Sequence, residues 1–156
     1  MAPSTEQEQK NKQIVRQFIE LHDRQDLERA EQLVSITNYL LYYSGMPPMD
    51  WNGHKKLYLG IIIKAFPDYH HNIEDMIAEG DKVAVYVNNT GTHKGEFHGI
   101  LPTGKKVSFY ETDFLTIING KVTEEKAIAD MMALMQQIGA AIPTPSRAET
   151  DSTSHS

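Results

Sequence analysis

The chain has no cysteine among its 156 residues. Disulfides, thiolate nucleophiles and cysteine-bound zinc or iron–sulfur centres are therefore excluded. Positive charge is also short: 15 Lys and Arg against 21 Asp and Glu leave a formal charge of -6. Nucleic-acid binding is driven by Lys and Arg displacing counterions from phosphates, and this balance argues against it. The longest apolar run, within residues 57–66, is broken by Gly60 and Lys64 and falls short of the roughly 20 residues that span a bilayer. The polar start MAPSTEQEQKNK lacks the hydrophobic stretch of a signal peptide. No G-x-S-x-G elbow, no H-E-x-x-H and no phosphate-binding glycine loop is present, which removes the commonest nucleophilic, zinc and nucleotide chemistries. The expectation that remains is a soluble, cytoplasmic domain that handles a small molecule or a protein partner. Its 40% apolar and 23% charged residues are ordinary for that class.

The order of elements is legible in the spacing of apolar residues. Residues 1–9 are polar without a period and are expected to be disordered, ahead of one domain over 10–142. Ile14, Val15, Phe18, Ile19 and His22 then fall on one helical face. Asp26 is a plausible N-cap for a short second helix with Leu27, Ala30, Leu33 and Val34 as its stripe. A third helix is expected over 52–66, ended by Pro67, because the residue before proline avoids the helical region. After it the period changes to two. Residues 69–77, 82–92, 107–118 and 121–129 read as strands of one antiparallel sheet. Asn119-Gly120 between the last two is a strong hairpin signal, since a type I′ turn needs positive φ at both positions. Met131, Met132, Leu134, Met135 and Ile138 form a last short helix stopped by Gly139. Residues 143–156 are rich in Ser, Thr and Pro and are expected to be a disordered tail. Helices first and strands after is the α+β pattern: a curved antiparallel sheet with three N-terminal helices over its concave face, enclosing a cavity for an apolar small molecule.

The chemistry lies in carboxylates on otherwise apolar strands. Alternation puts Phe109, Glu111, Asp113 and Leu115 on one face, and Glu125, Ala127 and Ala129 on one face of the next strand. If these acids line the cavity, burial raises their pKa values. One can then take a proton from carbon while a protonated neighbour donates to the developing oxyanion. If they face solvent or another subunit, they carry no chemistry. Tyr43, Trp51 and Asn89 are candidates to orient a substrate oxygen, and His71 and His93 are the histidines with a claim on the pocket. His22 and His54 read as partly buried helix histidines. His70 and His71, adjacent on a strand, point to opposite faces and cannot chelate one ion in regular geometry, so neither a metal nor a cofactor is expected.

The runs AFPDYHHNIEDMIAEGDKVAVYV, GTHKGEFHGILPTGKKV, NGKVTEE and LMQQIG together resemble the SnoaL-like polyketide cyclase family of the nuclear-transport-factor-2-like superfamily. The likeness spans residues 11–142. It implies a cone-shaped α+β barrel, usually dimeric, with an apolar cavity between helices and sheet. It also implies a general acid/base on the last strand, but the aspartate that serves in the polyketide cyclases aligns with Ala127. The cavity histidine of the preceding strand aligns with Asp113, an aspartate in many relatives, and Asp130 matches an acid common in the wider family. The histidine often found upstream of GMPPMDWNG appears here as tyrosine, Tyr42 or Tyr43.

Three functions are compatible with these residues. The first is cofactor-independent proton abstraction next to a carbonyl, giving cyclisation or isomerisation of a small apolar keto compound. Asp113 is its base, Glu111 and Asp130 are further catalytic acids, and Glu111 or Glu125 tunes the base. Tyr43, Trp51, His71, Asn89, His93 and Glu125 contact the substrate. The second is non-catalytic binding in the same cavity, which the alanine at 127 favours. An epoxide hydrolase ranks last, because it needs an arginine between two aspartates and no strand supplies one. Tyr86, Asn88, Thr90, Tyr110, Thr112 and Phe114 form a partly aromatic outer face, larger than a monomer normally exposes, and a homodimer is expected.

Overall fold

The computed structural model describes residues 2–141, so the tail expected at 143–156 lies outside the described residues. Helix α1 (Glu6–Asp23) begins inside the segment expected to be disordered. The reason is local: Glu8 N–H donates to the Thr5 hydroxyl at 3.1 Å while Thr5 N–H donates to the Glu8 carboxylate at 3.0 Å. This reciprocal capping box satisfies two of the N–H groups that a helix start leaves unpaired. Val15, Phe18, Ile19 and His22 form its buried stripe. Asp26 caps α2 (Leu27–Glu31) through the Arg29 N–H, as expected.

The third helical segment is less regular than its sequence implies. It starts as α3 (Trp51–Leu57), capped by Asp50, widens into a π-helical turn at Tyr58–Ile62, and closes as α4 (Ile63–Ala65) before Pro67. A π turn fits an extra residue into the helix and occurs often at functional sites. Here it brings Leu57, Tyr58, Ile61 and Ile62 onto the cavity wall.

Strands β2 (His70–Glu79), β3 (Lys82–Thr92), β4 (Lys106–Ile118) and β5 (Lys121–Ala129) form the antiparallel body of a curved, open sheet. Asn119 and Gly120 have φ of 50° and 74°, the type I′ geometry that their identities demand. The sheet is not wholly antiparallel. A four-residue strand β1 (Leu40–Tyr43) adds to its edge, parallel to β5, in an order β1-β5-β4-β3-β2. Four residues are too few for alternation to announce a strand, and the partner lies more than 80 residues downstream. Inward residues are Val83, Val85 and Val87 on β3, and Val107, Phe109, Leu115 and Ile117 on β4. Helix α1 packs on β2 and β3, and α5 (Met131–Gln137) on β4. Tyr86, Tyr110 and Phe114 stand on the outer face, with the two tyrosine rings stacked 4.9 Å apart.

The glycine-rich run at 91–95 is a structural corner. The N–H groups of Lys94 and Gly95 both donate to the Ala65 carbonyl, at 2.9 and 3.0 Å, and satisfy the end of α4. A Cβ at Gly95 would run into the Lys64 carbonyl oxygen, so only glycine brings these backbones together.

Candidate active site

The space between helices and sheet has two chambers. The outer one, about 260 Å³, is apolar, with Met46, Ile61, Phe66, Phe97, Phe109 and Leu134 among its lining. The inner one, about 50 Å³, is floored by Glu111, Asp113 and Glu125 and walled by His22, His54, Tyr58 and His71. Tyr43, Leu57, Ile62 and Tyr69 line both and form the neck. The two together suit a small molecule with an apolar body and a polar end, since small-molecule sites begin at about 300 Å³.

Strand register explains the floor. Glu111 pairs with Ala129, Asp113 with Ala127 and Leu115 with Glu125. Glu125 is thus diagonal to Asp113, and two alanines opposite the β4 acids leave the room above them. All three carboxylates are 6–7% exposed, and no Lys or Arg is among the residues lining the chamber. Glu111 Oε2 accepts from Asn89 Nδ2 at 3.1 Å and from the Tyr43 hydroxyl at 3.4 Å, a pair of converging donors that matches an anionic acceptor. Asp113 Oδ1 has no protein partner. Burial, followed by the charges of Glu111 and Glu125, pushes Asp113 well above the usual carboxylate range. Burial also raises Glu125 to about 7, against the opposing pull of its hydrogen bond from Tyr39.

Behind the floor runs a chain of buried polar groups. The Tyr39 hydroxyl lies 2.6 Å from Glu125 Oε2 and 2.6 Å from His54 Nδ1. His54 Nε2 lies 3.0 Å from His22 Nε2, and His22 Nδ1 donates to the Phe18 carbonyl at 2.8 Å. Burial depresses both histidines, His22 to about 4. On the other wall, Asp23 receives His70 Nδ1 at 2.7 Å and His71 Nδ1 at 2.5 Å. The two adjacent rings therefore converge on one carboxylate, contrary to the opposite-face expectation, because Asp23 ends α1 directly over the start of β2. His71 is left with Nε2 for the cavity.

Glu111, Asp113, Glu125, Tyr43 and His71 come together as the sequence indicates, and Asn89 supports them from behind Glu111. Three candidates do not join them. Asp130 is exposed and caps α5 through the Ala133 N–H, because it stands one residue past the end of β5. Trp51 is buried among Phe18, His22, Tyr39 and His54, with its Nε1–H on Glu31, and fastens α3 to α2. His93 is fully buried under Phe66, with Nδ1 on Thr103, and lines neither chamber. His22 and His54, read as bland helix histidines, line the inner chamber instead. The position of His22 on the stripe of Val15, Phe18 and Ile19 is the available signal. Nothing local couples it to His54 or Tyr39.

Among solved structures, AclR from Streptomyces galilaeus, a proposed hydroxylase, is 29% identical. The likeness covers 89% of this chain and 87% of that one, with a TM-score of 0.79. A proposed SnoaL-like polyketide cyclase from Jannaschia sp. CCS1 is 19% identical over 91% of this chain and all of its own, at a TM-score of 0.80. IdmH from Streptomyces antibioticus, a proposed polyketide cyclase, is 23% identical over 83% and 99%, at a TM-score of 0.76. The last two likenesses show the fold alone. No curated protein matches the chain. Residues 12–138 match the family described as SnoaL-like polyketide cyclase, and the chain belongs to that family.

Proposed function

We propose that the protein is a cofactor-independent cyclase or isomerase that moves a proton next to the carbonyl of a small apolar keto compound. The observation that carries this is the floor: three buried carboxylates, uncompensated by any lining Lys or Arg, at the end of an otherwise apolar cavity. Burying charge without a partner is costly, and perturbed acids of this kind cluster at functional sites. The family resemblance places the cyclase aspartate at Ala127, and Asp113 is its direct cross-strand neighbour, so an acid stands one strand away from that place. Asp113, protonated at rest, donates to the substrate oxygen through its unpartnered carboxyl. Glu111, held by Asn89 and Tyr43, takes the carbon-bound proton. This exchanges the expected roles, in which Asp113 is the base, because burial and the neighbouring acids favour its protonated form. The apolar body lies in the outer chamber, and enolate stabilisation by the inner donors supplies the largest catalytic term.

The test is exchange of α-protons for deuterium, followed by NMR, over a panel of apolar β-keto esters and 1,3-diketones. Exchange should occur in the parent and fall roughly 100-fold in Asp113→Asn. Saturable binding across the panel with no exchange above buffer would favour the non-catalytic reading, for which Ala127 speaks. The outer face around Tyr86, Tyr110 and Phe114 suits an isologous two-fold contact. Sedimentation of only a 17.7 kDa species at micromolar concentration would contradict the dimer.

A further inference from the structure

The chain behind Glu125 can be read by counting protons. It has four links: Phe18 carbonyl to His22, His22 to His54, His54 to Tyr39, and Tyr39 to Glu125. Each link needs one proton between its heavy atoms. A carbonyl only accepts, so His22 carries hydrogen on Nδ1 and neutral His22 accepts at Nε2. His54 must then donate from Nε2 and accept at Nδ1, which takes the Tyr39 proton. Tyr39 has no second proton for Glu125, although its oxygen lies 2.6 Å away. Two neutral histidines, a tyrosine and a carboxylate supply three protons for four links. The missing proton must be bound somewhere along the chain.

We infer that Glu125 holds this proton and is the cavity's proton donor, and that Tyr39 and His54 are positioning residues that keep it loaded. In the loaded state Glu125 Oε2–H donates to the Tyr39 oxygen, Tyr39 donates to His54, and all four links are made. On delivery the Glu125 carboxyl O–H turns from Tyr39 to the chamber. Its O–H bond breaks and an O–H bond forms on the bound enolate, whose oxygen Asp113 hydrogen-bonds without giving up its own proton. Tyr39 swings its own proton to the new carboxylate, and His54 Nδ1 is left without a donor. The enol then returns its oxygen proton to Glu125 as Glu111 gives the carbon-derived proton back to carbon, so the cycle needs no other reagent.

Burial and the neighbouring acids favour neutral Glu125, burial most strongly, against the opposing pull of Tyr39 and His71. Glu111 and Asp113 approach from β4, His71 from β2, His22 from α1, His54 from α3 and Tyr43 from β1. Two of these are further acids. The alternative places, His54 and His22, are those that burial drives away from the charged form. The role in turnover rests on the acid–base reading above, whereas the protonation is read without substrate.

The experiment is ¹⁵N NMR of the histidine rings in the ligand-free protein between pH 5 and 9. His22 should show the Nδ1–H tautomer and His54 the Nε2–H tautomer at pH 6. As Glu125 ionises near 7, the His54 Nδ1 resonance should move, because Tyr39 turns away from it. Tyr39→Phe should abolish that movement. Glu125→Gln, whose amide donates as the protonated acid does, should hold His54 in its low-pH position throughout. An imidazolium at His54, or a His54 resonance that moves identically in the parent and in Glu125→Gln, would overturn the inference. Absence of α-proton exchange on any ketone would count against the enzyme reading alone.

Discussion

His93 and His54 are both buried, and they belong to regions built on opposite terms. Around His93 the GTHKG and PTGK segments lock together: Gly104 N–H donates to the His93 carbonyl, His93 N–H to Lys105, and Thr103 to His93 Nδ1. Glycines admit close backbone contact and no carboxylate is buried; the one orphaned polar atom, His93 Nε2, belongs to a neutral ring nitrogen rather than to an acid. Around His54 three acids crowd a small chamber and one carboxyl oxygen lacks a partner. That region costs stability, and the β-sheet beneath holds it in place. The difference separates residues that carry the fold from residues that the fold carries.

The sharpest way to break this contrast is to change one residue on each side. Asp113→Asn should lower turnover roughly 100-fold. It should leave stability unchanged or raise it by about 1 kcal/mol, because a buried acid is replaced by a neutral isostere. A lower melting temperature with turnover intact would make Asp113 structural. Gly95→Ala should do the reverse. Its methyl meets a carbonyl pinned in helix α4, and overpacking of this kind costs about 3 kcal/mol, with turnover per folded molecule preserved. Urea denaturation measures both.

The pH dependence of stability sharpens the same contrast. Glu125 is raised from 4.5 to about 7 on folding, so its contribution is full below pH 4.5 and is lost as pH rises to 7. His22 is lowered from 6.5 to about 4, so its contribution is full above 6.5 and is lost as pH falls to 4. The two oppose each other between 4.5 and 6.5 and flatten the profile there. Glu125→Gln removes the first, and its advantage over the parent should grow with pH to roughly 3 kcal/mol by pH 7. A constant difference across that range would show that Glu125 titrates normally. The smallest effect belongs to the corner. Thr103→Val removes the hydroxyl on His93 and should cost about 1 kcal/mol with the pH profile unchanged.

The ends of helices and hairpins were legible in sequence, the corner was not, and the chamber only half so. Asp26, Asn119-Gly120 and Gly139 announce helix and hairpin ends because their chemistry is local. Alternation grouped Glu111 with Asp113 on one strand face, and their burial shows that this face is the inner one. His93 stood as a pocket candidate because its own segment does not record what its ring packs on. Its role depends on contacts with Phe66 and Thr103 instead. Tyr39, His54 and His22 come from three segments and meet only through tertiary packing, which no local pattern records. Strand β1 went unread for the same reason: it exists through pairing with β5.

The claim that most needs a direct measurement is that burial keeps the chamber floor from ionising as ordinary carboxylates do. Side-chain carboxyl ¹³C NMR across a pH titration, with Asp113 assigned by its loss in Asp113→Asn, reads this without substrate. The account predicts that Asp113 ionises well above the range of a solvated aspartate. Ionisation of Asp113 near pH 4, in the range of a solvated aspartate, would contradict it.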